Sequence, residues 1–263
     1  MSDLDLIRDA ALEAGELALA HRRRGLKVEY KAGGSPVTDA DLAVDAFLKA
    51  RLREARPEYA WLSEETADDP ARLSARKLFV VDPVDGTRAY VKGKPWFAVC
   101  IAVVEDGEPT AAVVRAPALD ETFEATLGGL ATLNGREIGA SGTAALENCR
   151  MLGDPRLFTH PGWRRPWPAM RVESKNSIAY RMCLVADGRF DAAVALNIKY
   201  DWDVAAAALI VEAAGGRATD HKGRRFSFNR PEPFQASLVC GAPALHPFIL
   251  ERTAPIELPP PKP

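Results

Sequence analysis

The 263-residue sequence predicts a mixed α/β (α+β) fold, with helical layers around two sheets. Three observations carry that expectation. The chain opens with two long amphipathic patterns, at residues 3–24 and 39–55. A series of apolar, β-branched runs follows, at 78–82, 97–105, 110–115, 121–126 and 130–133, bounded by turn residues. Beyond about residue 145 the pattern changes to strand–helix alternation. No internal repeat is evident, so the chain divides into an N-terminal α+β half, 1–145, and a C-terminal α/β half, 146–263.

Each element has a local reason. The first helix turns Leu6, Ile7, Ala10, Leu17 and Leu19 inward. Lys27 to Lys31 reads as a short strand. Ser35-Pro36-Val37-Thr38-Asp39-Ala40-Asp41 opens the second helix, whose apolar face is Val44, Phe47, Leu48 and Leu52. Asp39 and Asp41 stand where carboxylates cap a helix. The apolar run Tyr59-Ala60-Trp61-Leu62 is strand-like and ends in Ser63-Glu64-Glu65, so a carboxylate at its end can face a cleft. Leu78-Phe79-Val80-Val81 is a buried strand that delivers Asp82 to its end. Pro83, which has no N–H, is expected to stop the ladder there. Glu105-Asp106-Gly107 and Asn134-Gly135 separate further strands into a meandering, mostly antiparallel sheet.

In the second half, strands are expected near 149–153, 190–196 and 237–240, with helices at 177–187 and 203–214. The alanine-rich helix stops at Gly215-Gly216 and carries Asp203 in its first turn or at its N-cap. Residues 154–170, rich in Pro, Trp and Arg, read as an ordered surface loop. Glu257 to Pro263 reads as a disordered tail.

Composition narrows the function. A formal charge of −2 gives no overall affinity for polyanions, so any hold on phosphate must come from local groups or bound metal. No stretch is long and apolar enough to span a membrane, and no signal peptide is recognisable. Cys100, Cys149, Cys183 and Cys240 lie in apolar runs without C-x-x-C spacing and read as reduced core thiols of a cytoplasmic protein. No Walker loop, zinc-ligand spacing or nucleic-acid motif occurs. The segment Asp82-Pro83-Val84-Asp85-Gly86-Thr87 carries the clearest chemistry. Two hard anionic ligands stand beside a backbone amide that Gly86 leaves open and beside a hydroxyl. That set suits Mg²⁺ and phosphate.

Four segments then carry a resemblance. They are S-P-V-T-x-x-D at 35–41, S-E-E at 63–65, D-P-x-D-G-T at 82–87, and W-D-x-A-A…A-G-G from Trp202 to Gly216. In this order they resemble the inositol monophosphatase superfamily of Mg²⁺-dependent, lithium-sensitive phosphomonoesterases, from the first helix to the strand near Leu238. The resemblance implies a five-layer α/β/α/β/α sandwich. It implies that Glu64, Asp82, Asp85, Asp203 and the Val84 carbonyl hold two or three Mg²⁺ ions. It implies that the Gly86 and Thr87 amides hold the phosphate, and that Asp41 and Thr87 orient an attacking water, with Glu64 contributing through metal. The reaction implied is direct in-line attack without a covalent phosphoenzyme.

Two other classes remain as alternatives. A haloacid-dehalogenase-type enzyme uses D-x-D after a strand, but Asp39-Ala40-Asp41 opens a helix and the strong motif has D-x-x-D spacing. A catalytically silent metal-binding or interaction module would lack the water-orienting pair, which is present.

The expected substrate is a small phosphorylated metabolite, with no nucleic-acid polymer or membrane as partner and a homodimer left open. Inositol monophosphatases typically carry a sugar-binding glutamate seven residues before the W-D aspartate. Here that position is Leu196. Arg181 stands where bacterial 3′(2′),5′-bisphosphate nucleotidases typically have a lysine, and a cation there can pair with a second phosphate. Lys31, 35–38 and 62–65 also resemble that branch, whereas Asn197-Ile198-Lys199-Tyr200-Asp201 matches neither branch closely. The leading expectation is therefore conversion of adenosine 3′,5′-bisphosphate to AMP. Inositol, other sugar, or histidinol phosphates are the alternatives. Lys175, Lys199 and Tyr200 are rim candidates, and Trp163, Arg164, Arg165 and Trp167 belong to the surface loop.

Overall fold

The computed structural model describes residues 1–31 and 33–259. Helix α1 spans Asp3–Arg24 and starts in a capping box, in which Ser2 and Asp5 satisfy each other's free backbone amides. A short antiparallel ribbon of β1 (Val28–Tyr30) and β2 (Pro36–Thr38) leads into α2 (Asp39–Ala55). The helix begins at residue 39 as expected, and residues 36–38, which lead into it, form a strand that the sequence did not mark. Pro36 cannot donate a hydrogen bond, and the chain stays extended until Thr38 caps α2.

A seven-stranded sheet follows sequence order across its width: β3 (Ala60–Ser63), β4 (Lys77–Asp85), β5 (Ala98–Glu105), β6 (Glu108–Ala116), β7 (Glu121–Thr126), β8 (Thr132–Leu133) and β9 (Arg136–Glu137). Only β3 and β4 run parallel; every other neighbouring pair is antiparallel. Between β4 and β5 lies the short helix α3 (Thr87–Val91).

The second half supplies β10 (Arg150–Leu152), α4 (Pro155–Phe158), β11 (Arg171–Glu173), α5 (Ile178–Ala186), β12 (Ala192–Ala195), β13 (Lys199–Tyr200), α6 (Asp201–Ala213), β14 (Arg217–Thr219), β15 (Phe234–Gln235), β16 (Leu238–Gly241) and α7 (His246–Thr253). Its main sheet has the order β11-β10-β12-β16-β14, and β13 pairs with β15. The loop 154–170 contains α4. Trp167 meets Phe158 edge-on, and Arg252 of α7 lies over the Trp167 ring. Of the tail 257–263, residues 260–263 lie outside the described residues; Glu257 pairs with Lys222 at 2.7 Å.

Strand alternation sorts these elements into five layers. Phe79, Val81, Val99, Ile101 and Val103 face α1 and α2. Their neighbours Leu78, Val80, Cys100, Ala102 and Val104 face α5 and α6 on the other side. Those two helices also cover Ala193, Ala195, Leu238 and Cys240 of the second sheet. The far side of that sheet, with Met151, Val194 and Val239, packs on α7 and on Phe158. The order is therefore α1/α2, seven strands, α5/α6, five strands, α7. The alanines of α6 permit this: a helix buried on two sides needs small residues for both sheets to approach.

The strand β4 corrects one expectation. Pro83 does not end the ladder. Asp82 pairs with Cys100 and Asp85 with Ala98, so Pro83 and Val84 together oppose Val99 alone. A bulge absorbs the missing N–H, because a bulged residue leaves the ladder anyway. The consequence is chemical. In a regular strand residues three apart point to opposite faces. One extra residue restores the phase and turns both carboxylates to one side.

Candidate active site

The bulge, the start of α6 and the start of α5 meet at one point. Carboxylate oxygens of Asp82, Asp85 and Asp203 lie within 4.8 Å of one another. They line a pocket of about 190 Å³ together with Glu64, Gly86, Thr87 and Asn176. Each carboxylate is held by its own element. Asp82 Oδ1 accepts the Val84 amide at 3.0 Å. Asp203, in the first turn of α6, accepts the Tyr200 amide at 2.8 Å. Asp85 sits on the N-terminus of α5, where Oδ2 accepts from the Ser177 hydroxyl (2.6 Å) and the Ala179 amide (2.7 Å), and Oδ1 from the Ile178 amide (3.2 Å). That is the favoured end of a helix for an anion. Gly86 makes the approach feasible. Its φ is 92°, and a Cβ there would stand 2.9 Å from the Ser177 nitrogen.

Three carboxylates this close, two of them buried and one half-buried, repel one another. Burial first, then Glu64, Asp85 and Asp203, push the Asp82 carboxyl well above the usual range. Burial and Asp85 bring Asp203 up to about 7. Burial also raises Asp85, against the opposing hydrogen bonds from α5. A cation bound among them would relieve this repulsion, which is the electrostatic character of a divalent-metal site rich in oxygen ligands. The residues fit Mg²⁺ in donor type, since all are hard oxygens.

Beside the cluster stands a hydroxyl–carboxylate pair. Thr87 Oγ1 lies 3.1 Å from Asp41 Oδ1 and 3.0 Å from the Val84 carbonyl oxygen. The other oxygen of Asp41 accepts the Thr38 amide (2.9 Å) and hydroxyl (2.5 Å) in the capping box of α2. Asp41 is therefore both a helix-capping residue and a site-facing one. Burial raises its pKa, although the bonds from Thr38 and Thr87 oppose it.

Glu64 lines the same pocket but stands outside the close trio. Its Oε1 accepts from Lys31 Nζ at 2.8 Å, and Lys31 reaches Glu65 at the same distance. Behind them Asp45 accepts from Ser63 Oγ (2.5 Å) and Thr66 Oγ1 (2.6 Å), fixing the end of β3.

A larger cleft, about 490 Å³, adjoins the pocket at Asn176, which lines both. Arg181, Lys175, Leu196 and Lys199 line this cleft, so Arg181 is a wall of it and not a solvated surface arginine. The amides at Ile178 and Ala179 escaped the sequence reading, because nothing local marks Ser177 as facing a residue 92 positions away. The cap residue Ser177 and Asn176 were the available signal. Lys199, a rim candidate in the sequence, lines the cleft wall. The structure places it 7% exposed, its Nζ donating to the Ile198 carbonyl at 2.8 Å.

Comparison with known proteins agrees with this geometry. The model described as "Inositol monophosphatase family" matches residues 3–256. A histidinol-phosphatase of Chlorobaculum parvum is 32% identical over 231 residues, covering 85% of this chain and 87% of the relative. A protein of Thermotoga maritima named fructose-1,6-bisphosphatase/inositol-1-monophosphatase is 34% identical over 227 residues, with the same coverage of each chain. Among solved structures, a Thermotoga maritima IMPase superposes with a TM-score of 0.83 at 30% identity, covering 95% of this chain and 96% of its own. The suppressor protein SuhB of Bartonella henselae gives 0.81 at 27%, covering 94% and 96%.

Proposed function

This chain belongs to the inositol monophosphatase family, whose members are phosphoric monoester hydrolases, and on that premise we propose that it hydrolyses a 3′(2′),5′-bisphosphate nucleotide at a Mg²⁺ centre. One observation carries the phosphatase reading: three carboxylates within 4.8 Å of one another stand beside the Thr87–Asp41 pair. Asp82, Asp85, Asp203, Glu64 and the Val84 carbonyl would hold the two or three ions. Bound there, Mg²⁺ supplies positive charge against the phosphoryl oxygens.

The remaining steps belong to the chain. Gly86 and Thr87 line the pocket at the start of α3, and their backbone amides would hold a phosphate oxygen. The Thr87 hydroxyl, with one proton shared between Asp41 and the Val84 carbonyl, offers a lone pair to a water and orients it. Asp41, a buried carboxylate of raised pKa, takes the Thr87 hydroxyl proton while the Thr87 oxygen takes a proton from the water, as the water oxygen bonds to phosphorus and the P–O ester bond breaks in line. The leaving oxygen departs toward the larger cleft, and no group of the protein becomes phosphorylated.

Arg181 in that cleft supports a substrate with a second phosphate, and Leu196 argues against recognition of inositol hydroxyls. The same cations favour one further reading, a sugar bisphosphate, in keeping with the name of the Thermotoga relative. Histidinol phosphate, named for the Chlorobaculum relative, would bring a positive charge into a cationic cleft. The test is Mg²⁺-dependent phosphate release from adenosine 3′,5′-bisphosphate, fructose 1,6-bisphosphate, inositol 1-phosphate and histidinol phosphate, with Asp82→Asn as control. The expected result is preference for the nucleotide and near-complete loss in the variant. Turnover by Asp82→Asn close to wild type would remove the cluster from the reaction. Preference for histidinol or inositol phosphate would reject the bisphosphate reading.

A further inference from the structure

The 490 Å³ cleft contains four cationic side chains, and they are not equivalent. Arg156 donates to both oxygens of Asp154, to Oδ2 at 2.6 Å and to Oδ1 at 3.1 Å. Lys175 is bonded to Glu173 at 2.5 Å. Arg181 and Lys199 have no carboxylate within 4.0 Å among the described residues. Arg181 Nε is buried without any acceptor. Lys199 gives protons only to the Ile198 and Asn197 carbonyls, at 2.8 and 3.4 Å. Burial lowers both cations, that of Lys199 to about 8, and Arg181 adds to the burden on Lys199. Asp85 and Asp203 attract both cations from beyond salt-bridge distance without offsetting the cost of burial, so an anion bound directly in the cleft would stabilise them further. Both open onto the cleft that continues from the metal pocket.

We infer that Lys199 is a specificity-determining residue which, with Arg181, forms a subsite for a second anionic group, phosphate or carboxylate, on the alcohol portion of the ester. This rests on the phosphatase reading above and extends it from Arg181 to a residue that no sequence motif marks. The backbone explains the placement. The pair β13–β15 holds Lys199 opposite Gln235, and the two carbonyl bonds hold its ammonium at the cleft wall.

The test uses p-nitrophenyl phosphate as a general substrate and two matched pairs of competing esters. Adenosine 3′,5′-bisphosphate against adenosine 3′-monophosphate reads a second phosphate. 2-Phosphoglycerate against glycerol 2-phosphate reads a carboxylate. In Lys199→Met the preference for the doubly anionic member should fall on the order of ten- to a hundredfold, the scale of a charge-assisted hydrogen bond. Lys199→Arg should retain most of it. The pair that shows the loss identifies the anion. The metal-free Lys199→Met protein should melt no lower than wild type. Sulfate binding to the metal-free proteins, measured by calorimetry, reports the subsite without catalysis and should weaken about tenfold in the same variant. Unchanged preference with unchanged sulfate affinity would overturn the inference. So would a lower melting temperature with equal losses on both members of each pair, which marks a structural lysine. If Mg²⁺-dependent hydrolysis is absent while sulfate binding still depends on Lys199, the phosphatase reading falls and the subsite stands.

Discussion

Replacing Asp203 by Asn removes a charge while keeping the oxygen that accepts the Tyr200 amide, so it separates electrostatics from capping. Burial and Asp85 carry this carboxyl from 3.8 up to about 7. At about 1.36 kcal/mol per pH unit, that displacement corresponds to about 4 kcal/mol against the ionised folded state. The carboxylate is partly exposed to the pocket and shares its repulsion with Asp82 and Asp85, so a gain of about 1–3 kcal/mol is the working expectation. The folded pKa is raised. Stability is therefore fully present below the unfolded value, near 3.8, and is lost as pH rises through about 7. In EDTA, Asp203→Asn and wild type should melt alike near pH 4. At pH 8 the variant should melt higher by roughly 2–10 °C, on the usual scale for a chain of this size. Mg²⁺ should reverse the order. At a concentration a hundredfold above its Kd, a bound ligand adds about 2.7 kcal/mol to the wild type, and the variant should gain little. Circular-dichroism melts at the two pH values, with EDTA or Mg²⁺, provide the assay. A variant that melts lower than wild type in EDTA at pH 8, or a difference independent of pH, would refute the view of Asp203 as a repelled member of a cation site.

Three further outcomes follow from the site. Thr87→Ala should lower kcat by about two orders of magnitude while Mg²⁺ affinity, read by calorimetry, stays near wild type; a large rise in KM at constant kcat would make Thr87 a substrate-binding group. Gly86→Ala should destabilise the protein by about 2–4 kcal/mol, because φ is 92° and the new Cβ would meet the Ser177 backbone at 2.9 Å; a chemical-denaturation midpoint equal to wild type would show that α5 yields freely. The thiols of Cys100, Cys183 and Cys240 are buried, and burial pushes their pKa values up, so a thiol reagent should label them only on unfolding; rapid labelling of the native protein would contradict the packing of the middle layer.

Much of the molecule was legible in the linear chain. The spans of α1 and α2 follow from apolar spacing and from the Ser2 and Thr38 boxes, which are local. The strands of the first sheet follow from β-branched runs between turns, because consecutive antiparallel strands need only short-range pairing. The short strands β11, β13, β14 and β15 and the helix α7 were not legible: each is brief and held by partners distant in sequence. The candidate carboxylates were legible as residues, since hard-ligand chemistry demands Asp and Glu at strand ends and helix starts. Their convergence was implied by the resemblance alone, since no local signal in the chain brings them together.

The sequence by itself thus pointed to the family, to the layer-forming periodicities, and to Asp41, Glu64, Asp82, Asp85, Thr87 and Asp203 as the candidate set. Only the tertiary structure decided that a bulge at Pro83 and Val84 phases Asp82 with Asp85, that the N-terminus of α5 cradles Asp85, and that Lys31 takes Glu64. It alone placed Arg181 and Lys199 in the cleft beyond Asn176 with no carboxylate in salt-bridge contact among the described residues. The reason is physical. Composition and periodicity report what a residue prefers within a turn or two of chain, whereas direction, burial and charge pairing depend on register and on groups brought together from tens of residues away.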